Sequence, residues 1–194
     1  GITSNITIKG NTINNCFFGI NVRGAAVSSV YYATNIMIGG ATLADGNIIT
    51  NLGIGTAGTA VGIGSVNAND ISTNYNTISS TQLTGTASSV QGINLGVGIG
   101  YKNILNNDIS ISIQIAANTS NITAIVVSST VGALTEVNIN YDNIHDCGSA
   151  GTGTIYYINN ASNSSGVNNV NYNTLTSFTR SGVSGSTFAV QSTC

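Results

Sequence analysis

Six stretches of this chain, GNTINNC, GNIITNL, YNTISST, NNDISIS, YDNIHDC and YNTLTSF, superpose without gaps, and each carries Asn or Asp two residues before an Ile or Leu. The shared apolar residues are Ile13, Ile49, Ile78, Ile109, Ile144 and Leu175, at spacings of 36, 29, 31, 35 and 31 residues. A second apolar anchor recurs at the same period, after a small or aromatic neighbour, in FGIN, VGIG, QGIN, TAIV, YYIN and FAVQ; these anchors are Ile20, Ile63, Ile93, Ile125, Ile158 and Val190. A third element precedes the first anchor in most units. In NITIKG and EVNINY, Ile6 and Ile8 or Val137 and Ile139 alternate with period two, the pattern of a strand. A fixed period of this length marks an architecture of stacked units.

Each unit therefore holds about three short strands separated by turns rich in Asn and Gly. Leucine-rich repeats demand a Leu ladder, and propeller blades need four strands in about 40 residues. Neither fits. The spacing predicts an all-β parallel β-helix, a solenoid of about six coils with about three short strands per coil. One coil cannot bury its apolar row alone, whereas stacking sets each Ile above its counterpart. At roughly 4.8 Å per coil the rod would be about 29 Å long. The residues two before the first anchors, Asn11, Asn47, Asn76, Asn107, Asp142 and Asn173, are expected to form a structural amide ladder with one acidic replacement. Asn suits a turn there, because it tolerates the left-handed conformation and bonds nearby backbone.

Composition narrows the function. Charged residues make up 5% of 194 positions, net charge is −2, and 41% of residues are hydrophobic, against roughly 25% charged in an average soluble protein. Disordered chains are usually highly charged and poor in β-branched residues, whereas Ile, Val and Thr recur throughout and favour strands. Lys9, Arg23, Lys102 and Arg180 lie far apart, so no basic stripe exists for phosphates and nucleic acid is not an expected partner. The longest apolar runs are broken by Gly, Ser and Asn, which predicts no membrane-spanning helix. Three cysteines without a C-x-x-C pair give no zinc or redox signature, and no motif implies a cofactor. Residue 1 is Gly rather than Met, GITSNITIKG begins inside a repeat, and the chain ends four residues after Val190. The expectation is that residues 1–194 are one β-helix segment of a longer repeat protein, or a module whose partners are neighbouring repeats or copies stacked end to end.

The pattern GNTI…GINV, and especially NIMIGGATLADGNIITNLG at 35–53, resembles the repeats of right-handed parallel β-helix proteins of the pectin-lyase-like superfamily. Its Ile-Gly-Gly, short insertion and Gly-Asn-x-Ile form is similar to that of large secreted bacterial surface proteins and adhesins. The resemblance implies a right-handed solenoid and a secreted or cell-surface location. It also brings polysaccharide lyases and hydrolases into view. Polygalacturonases of that superfamily resemble one another in Asn-Thr-Asp, Asp-Asp, Gly-His-Gly and Arg-Ile-Lys elements. None of these occurs here: NTI and NTL stand in place of Asn-Thr-Asp, no two acids are adjacent, and His145 is flanked by Ile144 and Asp146.

The one cluster that invites catalysis is YDNIHDC at 141–147, which holds the sole histidine and two of six acidic residues. Glycosidases need two carboxyl groups flanking the scissile bond. Equal offsets from the anchors place Asp142 between Asn107 and Asn173, His145 between Ser110 and Thr176, and Asp146 between Ile111 and Ser177, with no second carboxylate at either acid's offset. Asp108 lies one position past Asn107, within reach of Asn143. A structural reading of the cluster follows, with no catalytic, cofactor or metal residue expected. The run LGIGTAGTAVGIG at 52–64 reads as a strand with outward glycines, since no Lys-Ser/Thr pair follows it as in a phosphate loop. Cys16 and Cys147, each three residues after an anchor, read as small core residues. Cys194 could join another chain. Tyr75, Tyr141 and Tyr172 share one offset, with Tyr31, Tyr32, Tyr101, Tyr156 and Tyr157 elsewhere, so a carbohydrate-stacking face is the binding alternative. The expected function is a structural or adhesive extracellular rod, surface adhesin or filament component. The alternative is an extracellular polysaccharide-binding or polysaccharide-degrading domain.

Overall fold

A computed structural model describes residues 4–25, 32–53, 58–82, 87–115, 118–129, 134–162, 166–182 and 184–192. The strands fall into three parallel sheets, each visited once per coil. The first sheet comprises β1 (Ser4–Ile8), β4 (Ala33–Gly39), β7 (Ala68–Asn74), β10 (Gly100–Leu105), β13 (Leu134–Asn140) and β17 (Val167–Asn171). The second comprises β2 (Thr12–Asn14), β5 (Ile48–Thr50), β8 (Thr77–Gln82), β11 (Asp108–Ile113), β14 (Asn143–Ile144) and β18 (Thr174–Leu175), with β15 (Gly148–Ser149) beside β11 and β19 (Thr179–Arg180) beside β15. The third comprises β3 (Phe18–Arg23), β6 (Gly58–Val66), β9 (Ala87–Leu95), β12 (Asn121–Ser129), β16 (Ile155–Ser162) and β20 (Thr187–Ser192). The protein is thus an all-β parallel solenoid: five full turns separate β1 from β17, and β18 to β20 add the other sides of a sixth rank. The one helical piece among the described residues is a short 3-10 turn, Leu43–Asp45, in the insertion before β5.

Strand pairing joins identical positions of the repeat. In the second sheet Ile13, Ile49, Ile78, Ile109, Ile144 and Leu175 pair in one continuous row. In the third, Ile20, Ile63, Ile93, Ile125, Ile158 and Val190 do the same. The first sheet contributes the row Ile8, Ile38, Thr73, Ile104 and Ile139. Residues of the middle ranks are fully buried, which draws the three rows into one core along the axis. Ile13, Leu175 and Val190 belong to the first and last ranks and are only partly covered, Val190 remaining 48% exposed.

A parity switch follows the first anchor. Two residues after it, Asn15, Asn51, Asp146 and Ser177 have φ of 55°, 55°, 49° and 53°, the left-handed region that Asn and Asp visit most readily. The turn ends the strand and makes the next residue face inward, so Cys16, Leu52, Cys147 and Phe178 share an orientation. In the third and fourth ranks the chain stays extended: Ser80 and Ile111 are buried at the earlier offset, while Thr81 and Ser112 face outward. The extra residue shifts the pairing. Gly148 meets Ser112 and Ser149 meets Ile113, so beyond His145 equal offsets cease to stack between the fourth and fifth ranks and Asp146 is not level with Ile111 as expected, whereas the fifth and sixth ranks keep equal offsets, Gly148 meeting Thr179.

Two other expectations are corrected. The ladder residues Asn11, Asn47, Asn76, Asn107, Asp142 and Asn173 are not left-handed; the residue before takes that strain at five of the six, Gly10, Tyr75, Asn106, Tyr141 and Tyr172, with φ from 57° to 66°, while Gly46 before Asn47 is extended at φ −64°. Gly62 does not face outward either. A Cβ on Gly19, Gly62 or Gly92 would lie 2.5, 2.7 or 2.5 Å from the carbonyl oxygen of Gly62, Gly92 or Ala124 in the next rank, and 2.8 to 3.0 Å from the Cγ2 of Ile49, Ile78 or Ile109. At Gly19, Gly62 and Gly92 the small residue before the second anchor lets the third sheet approach the first anchors of the second closely.

Ile109→Ala should lower stability by about 2–5 kcal/mol in urea unfolding, the range for deleting a buried aliphatic side chain. Thr174→Ala, at an exposed position beside Leu175, should change it by less than about 0.5 kcal/mol.

Candidate functional site

The polar ladder lies at the turn between the first and second sheets. Asn11 donates from Nδ2 and its backbone N–H to Oδ1 of Asn47, at 2.9 and 3.1 Å. Asn47 does the same to Asn76 at 2.9 and 3.1 Å, and Asn76 to Asn107 at 3.0 and 3.0 Å. Asn107 donates to Oδ1 of Asp142 at 2.9 and 2.8 Å, and the Asp142 N–H to Oδ1 of Asn173 at 2.9 Å. Each amide also reaches a carbonyl of the first sheet in the preceding rank: Asn47 to Ile8, Asn76 to Ile38, Asn107 to Thr73 and Asn173 to Ile139, at 2.8 to 3.1 Å. The turn's otherwise orphaned backbone groups are satisfied this way, which is what a buried corner requires.

On the outer face of the second sheet, β11 and β14 bring three ionisable groups together. His145 Nε2 lies 3.2 Å from Asp108 Oδ1, and Nδ1 lies 2.8 Å from Asp146 Oδ2. Asn143 donates to the same Asp108 oxygen at 2.6 Å. The left-handed turn at Asp146 folds that carboxylate back onto the imidazole, and pairing of Asp108 with Asn143 places the other carboxylate diagonally across. Asp108 reaches Asn143 as expected; its further contact with His145 was not anticipated, because equal-offset reasoning ignores diagonal neighbours. The hydrogen bond to Asp146 raises the His145 pKa above its ordinary 6.5, and the charge of Asp108 adds to it. A carboxylate on each nitrogen favours the doubly protonated imidazolium, which, while protonated, has no lone pair to take a proton from a substrate. Nor does it form a metal cage, since the carboxylates approach opposite sides of the ring, and among the described residues no other His, Cys, Asp or Glu cluster is placed to hold a metal.

Asp146 also edges an open groove of about 550 Å³, lined by Thr81, Ser112, Gln114, Ser149 and Thr179. Gly148 leaves its floor open between Ser112 and Thr179.

The remaining candidates are structural in placement. Lys102 occupies an inward position of the first sheet between Ile71 and Val137 and is wholly buried. Its Nζ donates to the carbonyls of Leu95 at 3.0 Å, Ser128 at 3.3 Å and Gly96, and burial pushes its pKa down to about 7. The alternation of β10 in phase with β7 and β13 was the sequence signal for that lysine. Arg180 is fastened to the carbonyls of Gly151, Gly153, Ser184 and Ser186, and Lys9 pairs with Asp45 at 2.9 Å. Cys16 and Cys147 are free thiols, and burial pushes Cys147 up to about 11. Tyr141 and Tyr172 stack at 5.0 Å with an 8° interplanar angle and stand 57% and 76% exposed. Asn106 separates them from Tyr75 in the row, as the left-handed positions show. On the third sheet Tyr156 stacks on Phe188 at 5.2 Å. Tyr31 and Cys194 lie outside the described residues. No helix among the described residues is long and apolar enough to cross a membrane.

Comparison of the chain with protein-family models, curated proteins and solved structures gives no match.

Two outcomes follow. Asn76→Leu removes the acceptor for both Asn47 donors and strands the Ile38 carbonyl, so it should cost about 2 kcal/mol or more in urea unfolding, whereas exposed Asn11→Leu should cost less than about 1 kcal/mol. NMR titration should find the His145 pKa above 6.5 and moved downward by Asp146→Asn. Because the folded pKa is raised, the stability His145 contributes is present in acid and lost as pH rises through that value.

Proposed function

We propose that this chain is a structural or adhesive extracellular rod, a shaft segment of a surface adhesin or filament. The observation that carries the reading is where its reactive groups are spent. The only histidine has both nitrogens engaged by carboxylates, and Lys102 and Arg180 are bound by backbone carbonyls. Meanwhile the anchor rows and the amide ladder run through every rank. Chemistry is quenched and continuity is maximised, which suits a stiff shaft. The repeat's likeness to the pectin-lyase-like superfamily and to secreted bacterial surface proteins supports a right-handed winding and a place outside the cell. Neighbouring repeats or further copies stacked on the end ranks are the fitting partners for such a shaft.

A polysaccharide-binding or polysaccharide-degrading domain is the second reading, favoured by the polar groove at Asp146 and the exposed Tyr141–Tyr172 stack.

The triple variant Asp108→Asn, His145→Gln, Asp146→Asn separates them. A rod keeps its circular dichroism spectrum, and neither the variant nor the parent chain depolymerises acidic or neutral polysaccharides. Depolymerisation by the parent chain that the variant lacks would overturn the rod.

A further inference from the structure

The ladder has one irregular rung. At every other rung the second side-chain atom is an amide nitrogen that donates; at Asp142 it is an oxygen, Oδ2, which is buried and has no hydrogen-bond partner. Register identifies what it faces. The rungs above and below reach the carbonyls of Thr73 and Ile139, and Ile104 is the residue between these two in the first-sheet row. Asn173 Oδ1, already accepting from the Asp142 N–H, is the next oxygen along the ladder. An ionised Asp142 would set a carboxylate oxygen against these two acceptors in a corner that excludes water. A neutral carboxylic acid has an O–H to offer there.

We propose that Asp142 is a proton-operated joint in the shaft: protonated, its Oδ2–H completes the ladder, and release of that proton to solvent opens the fifth rung. The joint would loosen the last two ranks as the medium turns from acid to alkaline, a property beyond the rod function itself and independent of it.

The surroundings agree. Burial raises the Asp142 pKa from 3.8 to about 7, partly opposed by the hydrogen bonds from Asn107. No charged neighbour contributes. On β10 and β11, Tyr101 is half-buried, the Lys102 ammonium is held beside the end of β9, and Asp108 is turned to the outer face. In its own coil Glu136 is half-buried, Tyr141 is exposed, and His145 and Asp146 pair with each other on the outer face. In the last rank Tyr172 is exposed and Arg180 is held by carbonyls. With the folded pKa above the unfolded one, the stabilising effect is complete below the unfolded pKa and lost as pH rises through the folded one. Lys102 works in the opposite sense above neutrality, because its folded pKa is lowered, so the measurement must be a difference between chains that share it.

The test uses the 194-residue chain, Asp142→Asn, and Asn76→Asp as a transplant, with thermal unfolding followed between about pH 4 and pH 9. Parent and Asp142→Asn should melt together at the acid end and diverge progressively between the unfolded and folded pKa values, from about pH 4 to about pH 7, the offset then staying constant with Asn the more stable. Asn76→Asp should acquire a second loss of the same sign. A carbon-13 titration of the Asp142 carboxyl in the folded parent chain, which needs no variant to fold, should show it still protonated at about pH 5–6, well above an ordinary aspartate. A pH-independent difference between parent and Asp142→Asn, or a carboxyl already ionised at about pH 5, would overturn the proposal.

Discussion

In a parallel stack with a rise of about 4.8 Å per rank, whatever one residue presents is met by the residue at the same station of the next rank. For an aliphatic side chain that is favourable at any length of stack, since each added Ile covers the last, as the fully buried middle ranks of the two anchor rows show. For an amide it is also favourable, because Asn is donor and acceptor at once and each rung completes its neighbour. For a carboxylate it is unfavourable, because acceptor meets acceptor. That single rule explains why the inner corner is almost entirely Asn and why Asp142 is the one rung with an orphaned oxygen.

Cations obey a related rule. A lysine repeated in every rank would repel itself, but a single one can be solvated by carbonyls freed where the chain turns and strands no longer pair. Lys102 does this at the end of β9, and Arg180 binds the turns around Gly151–Gly153 and Ser184–Ser186. The chain's low charge is thus consistent with its architecture: few stations along a stacked rod can accommodate an unpaired ion, and those that do lie at corners or on the outer faces.

Much of this was legible before any coordinates. The two anchor rows, the position of the amide ladder and the three-strand coil followed from a repeat of about 32 residues, because stacking converts sequence period directly into spatial register. Within the His145 cluster, the level of Asp146 against Ile111 was misplaced for a local reason. One left-handed residue, Asp146, inserts an extra position, so sequence offset and spatial level part company within the motif. Left-handed strain was assigned to the ladder Asn residues because Asn tolerates it, yet at three ranks a tyrosine bears it instead. There the ladder amide is needed facing inward, and its neighbour must turn.

The sequence by itself determined that the chain stacks, and which residues stand in each row, since both depend only on periodic apolar and amide positions. The tertiary structure alone decided how rows meet around a corner. It set the approach of Gly19, Gly62 and Gly92 to the first anchors, the diagonal contact from Asp108 to His145 and the burial of Lys102. These are relations between sheets or between diagonal neighbours, fixed by turn geometry a few residues long, and no periodicity along one chain encodes them.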